Sequence, residues 1–158
     1  AKNLAEELGL RYVSAGMVFR EMAKERDMNL TEFSDYVEKH PEVDEEIDKR
    51  TAQEAERDDA LIDARLAAWF AEGADIRILL IAPLEERVRR ICDREDRPYE
   101  EVREETVSRE RSEKERFKEL YDIDVDDYSV FDLILNTDQF DEEETVRILK
   151  LAIETVSD

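Results

Sequence analysis

An α/β fold, a parallel sheet flanked by helices, is what the recurrence of apolar residues along this chain predicts. Strand-like runs, RYVSAG at 11–16, ALIDA at 60–64, DIRILLIA at 75–82 and DLILN at 132–136, are separated by longer stretches of helical periodicity. That is the order a parallel sheet with helical crossovers produces. The third run is almost continuously apolar, as expected of a parallel strand covered on both faces. With 158 residues and 41% hydrophobic composition, the chain can bury a core without disulfides and is expected to form one domain over 1–158.

The elements follow in order. Leu4, Leu8 and Leu10, with Ala1 and Ala5, make an apolar helical stripe that should stop at Gly9, after which RYVSAG reads as a strand and a turn. From Val18 to Arg57 the pattern is helical three times over, MVFREMAKERD, LTEFSDYVEKH and EVDEEIDKRTAQEAERD, with breaks at Asn29 and Pro41 and helix starts expected at Thr31 and Pro41. After the strands ALIDA and DIRILLIA, Pro83 opens a helix through about Arg94. A long helix runs from Tyr99 toward Leu120. The strand DLILN and a final amphipathic helix, about Glu142 to Val156, complete the chain.

Charge narrows the function classes. Forty-five acids against 24 bases give a formal net charge of −21, so counterion release on duplex nucleic acid offers little and no such partner is expected. The bases are mostly arginine, 17 against seven Lys, a bias that suggests adaptation to a salty cytoplasm as an alternative to an ordinary solubilising surface. The single cysteine, Cys92, fits a reducing compartment. No apolar run reaches membrane-spanning length, and the charged opening AKNLAEELGL is unlike a signal peptide. A cytoplasmic monomer is expected.

Against this background the R-E-x-x-E-x-x-R segment at 109–116 stands out. Arg109, Arg111, Lys114 and Arg116 fall within eight residues and suggest a local anion site. Arg109, Glu113 and Arg116 share one helix face, a spacing that also suits a solvated helix laced with i,i+4 ion pairs.

Three stretches carry a family resemblance: VSAGMVFREMAKER; LIDARLAAW followed by ADIRILLIAPLEERVRRI; and RERSEKERFKELYDIDVDDYSVFDLILNTD. Together they span nearly the whole chain, and they resemble the nucleoside monophosphate kinases, most closely cytidylate kinases of the archaeal type. The resemblance implies a P-loop kinase-like sheet with a helical monophosphate-binding insert at 17–57 and a helical lid at 98–121. It implies transfer of the ATP γ-phosphoryl group to CMP or dCMP with Mg²⁺. Such a reaction needs arginines from several elements to place and neutralise phosphate oxygens.

Carried over by position, Ser14 touches the acceptor nucleotide, Arg20 grips the CMP phosphate, and Arg65 is a phosphate-binding and catalytic arginine at the end of a central strand. Arg109 and Glu113 contact the sugar, and Arg116, a second catalytic arginine that also binds the ATP cofactor, reaches the phosphates as the lid closes. Asp63 would orient Arg65 or hold a magnesium-bound water, or else cap the next turn. Ser14 is equally placed to cap the following helix. His40 is expected to be a loop residue, and Trp69 and Phe70 to serve packing.

The departures are specific. The family's G-x-x-x-x-G-K-[ST] loop, which holds the ATP phosphates and magnesium, has no counterpart here, the only glycines being Gly9, Gly16 and Gly73. Ala1 falls just after that loop in the resemblance, so the chain is expected to be a truncated form, lacking a mid-sheet strand and unstable or inactive as it stands. A kinase-like nucleotide-sensing or protein-binding module without the loop is the alternative, and an AMP or UMP kinase is the alternative enzyme. Met17 replaces an acidic residue, Asp63-Ala64 replaces Glu-Gly, and Ala68 replaces Gly.

Overall fold

The computed structural model describes residues 1–57 and 59–157. They gather into two compact units, 1–76 with 142–158, and 77–141.

The first unit opens with α1 (Lys2–Leu8), closed by Gly9 in the left-handed conformation at φ 66°, where Leu10 N–H reaches back to Ala5 O at 2.9 Å. A glycine there avoids the Cβ penalty of positive φ. Strand β1 (Arg11–Ser14) pairs in parallel with β2 (Ala60–Asp63), Arg11 opposite Ala60 and Ser14 opposite Asp63. Between them run α2 (Ala15–Glu25), α3 (Leu30–Lys39) and α4 (Pro41–Ala55).

The second of these helices begins one residue earlier than Thr31 because Asn29 caps it. Its side chain accepts from Glu32 N–H at 2.9 Å while Glu32 accepts from Asn29 N–H at 2.9 Å, a reciprocal capping box. Pro41 starts α4 as expected, its missing N–H costing nothing at a first helical position. Asp58, the last residue of the helical pattern read there, lies outside the described residues.

These helices enclose the principal core, Val18, Met22, Ala23, Phe33, Val43 and Ile47. Phe33 meets Phe19 at 4.7 Å between ring centroids, and Tyr36 stacks on His40 at 4.1 Å. His40 is thereby a packing and turn residue, with Nδ1 3.0 Å from Glu42 Oε1. A short helix, α5 (Ala67–Phe70), follows β2 and puts Phe70 beside Thr51, Ile62 and Leu66. In this unit α8 (Glu142–Ser157) packs with α1, where Lys150 reaches Glu7 at 3.4 Å.

The second unit holds β3 (Ile78–Ile81) and β4 (Leu133–Asn136), parallel with Ile78 opposite Leu133 and Ile81 opposite Asn136. Only ILLI of the apolar run DIRILLIA is strand. Between these strands lie α6 (Leu84–Glu95) and α7 (Tyr99–Tyr121), which pack together and bury Val88 and Val102. A 3-10 turn, Tyr128–Val130, precedes β4.

The strands thus form two parallel pairs rather than one continuous sheet. Among the described residues, β2 and β3 each hydrogen-bond to a single strand neighbour. Among the described residues no helix is long and apolar enough to cross a membrane.

Two substitutions test the local account in opposite directions. Asn29→Ala removes the cap of α3 and is expected to lower the free energy of unfolding by about 1 kcal/mol. Asp96 closes α6 at φ 52°; Asp96→Gly relieves that conformation and is expected to raise stability by about 0.5–1 kcal/mol. Urea unfolding of the two variants measures both, and the same sign for both would contradict the assignment.

Candidate functional site

The carboxyl end of β1–β2 is built by its register. Side chains alternate along a strand, so Tyr12 and Ser14 share a face, and Ser14 lies opposite Asp63 on β2. Strand ends of this kind are where open α/β folds bind ligands. Here β1 runs directly into α2, and Ser14 caps it by accepting from Met17 N–H at 3.2 Å. That leaves the N–H groups of Ala15 and Gly16 at the start of an 11-residue helix without helical acceptors.

Arg20 lies one turn along the same face, and its guanidinium folds back over that first turn, as helical side chains do. A Cβ placed on Gly16 would meet Arg20 Nη1 at 3.6 Å and Ser14 Oγ at 3.9 Å. Gly16 therefore sits beneath a small seat bounded by a guanidinium, a hydroxyl and a helix N-terminus. The positions three and four away from Arg20 are Gly16, Met17, Ala23 and Lys24, none acidic. In a chain of net charge −21, Arg20 accordingly makes no ion pair with any described residue. Positive charge left exposed at a helix N-terminus is equipment for an anion.

Asp63 is exposed at the end of β2, and its partner is Tyr12, whose hydroxyl donates to Asp63 Oδ2 at 2.8 Å. Arg65 is exposed in the turn between β2 and α5. Tyr12 was invisible as a site residue in the sequence; only its place two residues before Ser14 on a strand could have signalled it. Burial, and then the bond to Asp63, raise the Tyr12 phenol above its ordinary range, while Ser14 and the Arg20 charge pull it down. Tyr12, Ser14, Arg20 and Asp63 are thus one cluster.

The arginine-rich helix lies in the second unit. Arg109 Nε is 3.7 Å from Glu113 Oε1, the i,i+4 pairing that the spacing allows. Arg116 lies over the ring of Phe117, 5.1 Å from its centroid. Lys114 pairs with Asp126, and Arg111 is exposed. Arg109 and Lys114 thus face carboxylates, and the Arg116 guanidinium lies over an aromatic ring.

Arg109 also borders a cleft of about 170 Å³ between α6 and α7, with Arg94, Arg97, Glu105 and Thr106. Its positive charge is largely answered from within. Arg97 contacts Glu105 at 2.5 Å, Glu101 at 2.6 Å and Glu95 at 3.4 Å, and Glu105 first, then Glu101, hold its guanidinium charged well beyond the usual arginine range.

Two further arginines, absent from the sequence reading, fasten the carboxyl end of β3–β4. Arg90 donates to Thr137 Oγ1 at 2.9 Å and to Thr137 O at 2.8 Å, while Thr137 N–H reaches Ile81 O at 2.8 Å. Arg87 donates to Ala82 O at 3.0 Å and pairs with Glu110. Both contacts depend on the strand ends meeting in space, so no local pattern announces them. No group of three potential metal ligands occurs among the described residues.

Comparison with known proteins bears on these clusters. Residues 1–139 match the model of the cytidylate kinase-like family. The chain is similar to a cytidylate kinase of Methanothermobacter thermautotrophicus, 49% identical over 144 residues that cover 90% of this chain and 89% of that one. It is 45% identical to a cytidylate kinase of Methanopyrus kandleri over 98% of this chain and 85% of the relative. For a cytidylate kinase of Methanocaldococcus jannaschii the identity is 44%, over 99% and 90% of the two chains.

The Tyr12–Asp63 bond is open to titration. The difference between the absorbance titrations of the unaltered chain and of Tyr12→Phe is expected to show one phenol ionising above the ordinary tyrosine range, lowered by Asp63→Asn. Because the folded value is raised, its contribution to stability is present below the unfolded value and lost as pH rises through the folded one. A Tyr12 phenol titrating unchanged in Asp63→Asn would show that the bond is absent in solution.

Proposed function

The chain belongs to the cytidylate kinase-like family, and we propose that it serves transfer of the γ-phosphoryl group of ATP to CMP or dCMP, with the seat at Ser14, Gly16 and Arg20 receiving the acceptor phosphate. The observation that carries this reading is Arg20: a guanidinium without an ion pair among the described residues, folded over the N-terminus of α2 in an acid-rich chain. Phosphoryl transfer asks a protein mainly for position and charge neutralisation. A dianionic phosphate at this seat would receive two backbone N–H groups and a charge-assisted contact from Arg20.

Arg65, at the end of the same strand pair, is the proposed catalytic arginine for the phosphate in transit. Arg109 and Glu113 are proposed to take the sugar and Arg116 the phosphates, which requires the Arg109–Glu113 pair to be exchanged for ligand contacts. The separation is 3.7 Å and the Arg109 side chain is exposed, so the pair contributes about 1 kcal/mol or less.

Magnesium is proposed to accompany ATP. The chain's own side chains fit it only loosely: Asp63, the proposed contact through a water, has one carboxylate oxygen taken by Tyr12 and belongs to no group of three ligands among the described residues. Metal held mainly by nucleotide phosphates is the usual arrangement for this ion. A monomer working in the cytoplasm, without nucleic acid or membrane as partner, suits the charge balance of the sequence.

Calorimetric titration of the chain with CMP, AMP and UMP tests the acceptor assignment. CMP is expected to bind most tightly, and Arg20→Ala to weaken it at least tenfold, the loss typical of a charge-assisted bond to phosphate. Arg109→Ala should weaken it less. Unchanged CMP affinity in Arg20→Ala would remove the seat from the reaction.

A further inference from the structure

Resting on the acceptor-site reading above, we propose that Tyr12 is a positioning residue: its hydroxyl holds the Asp63 carboxylate away from Arg20 and so keeps that guanidinium available to the acceptor phosphate. The need for such a device follows from the chain's charge. With 45 acids against 24 bases, an exposed arginine is expected to be captured by a carboxylate, and most described arginines are: Arg11 by Glu54, Arg26 by Glu46, Arg50 by Glu25 and Glu46, Arg97 by three acids.

Arg20 escapes capture on its own helix because positions 16, 17, 23 and 24 carry no acid. The acid facing its cluster from the neighbouring strand is Asp63, and Tyr12 has claimed it at 2.8 Å. Asp63 makes no ion pair among the described residues.

The geometry is specific to this register. Tyr12 lies two residues before Ser14 on β1, and Ser14 opposes Asp63, so the phenol runs along one face of the strand pair to its diagonal neighbour. Its hydroxyl is close enough to Ser14 and Arg20 for both to bear on its ionisation. A phenol suits the task because it can satisfy a carboxylate with a neutral donor, adding no charge that would compete for the phosphate.

A double-mutant cycle in CMP titrations tests the role. Tyr12→Phe keeps the ring and removes the donor; CMP is expected to bind about fivefold more weakly as Asp63 turns to Arg20, the scale of an exposed ion pair. In an Asp63→Asn background the same substitution is expected to have no further effect, since no carboxylate remains to capture Arg20. Full CMP affinity in Tyr12→Phe overturns the proposal, as does an equal loss in both backgrounds, which is what a packing role would give. Arg20→Ala runs alongside: if it leaves CMP binding unchanged, the acceptor site itself is misplaced, a failure distinct from that of Tyr12 alone.

Discussion

The parallel register of β1 and β2 is the constraint on which the candidate site depends. Because Ser14 lies opposite Asp63, the hydroxyl that caps α2, the carboxylate at the end of β2 and the phenol of Tyr12 meet at one edge. A slip of one residue would send alternate side chains to the other face, separating Tyr12 from Asp63. The register is held by burial: Val13 points the opposite way from its neighbours and is 5% exposed, so a slip would carry it out of the interior. From that edge α2 leaves with its first turn open, and Arg20 is placed by helix geometry.

Electrostatics then divides the arginines by what surrounds them. A chain with so large an acidic excess tends to neutralise its own cations, and at Arg97 it does so three times over. Such exposed pairs stabilise little, but they decide which cations remain for a ligand. Arg90 goes to Thr137 and Arg87 to Ala82 and Glu110, bracing strand ends. Arg20 is left out of this pairing because its helical neighbours are small, apolar or basic. The replacement of an acidic residue by Met17, which by sequence alone costs a polar contact, also removes the i−3 partner that Arg20 would otherwise have had.

Much of the fold was legible where local chemistry dictates it. Gly9 stops α1, Pro41 starts α4, and the alternation of helical and strand periods gave parallel strands in the expected order. What escaped is what depends on neighbours distant in sequence. The cap of α3 is Asn29 rather than Thr31 because the partner Glu32 stands three residues on. The strand DIRILLIA shrank to four residues because pairing with β4 begins at Ile78 opposite Leu133 and ends at Ile81 opposite Asn136. The helix α5 is too short for periodicity to show.

In the site, the residues carried by resemblance, Ser14 and Arg20, do stand together. Tyr12, Arg87 and Arg90 needed the strand ends in place before their partners could be known. The grouping of Arg109, Arg111, Lys114 and Arg116 suggests an anion site because they are close in sequence; what no local pattern names is that Lys114 meets Asp126 and Arg116 lies over Phe117. The central claim is that the open first turn of α2, with Arg20 above it, receives the phosphate of a pyrimidine monophosphate. The most direct measurement is a ¹H–¹⁵N correlation spectrum recorded as CMP and, separately, cytidine are added. Shifts at the Ala15 and Gly16 amides and at Arg20 Nε–H with CMP but not with cytidine are predicted; shifts confined to other residues, or equal with both ligands, would contradict it.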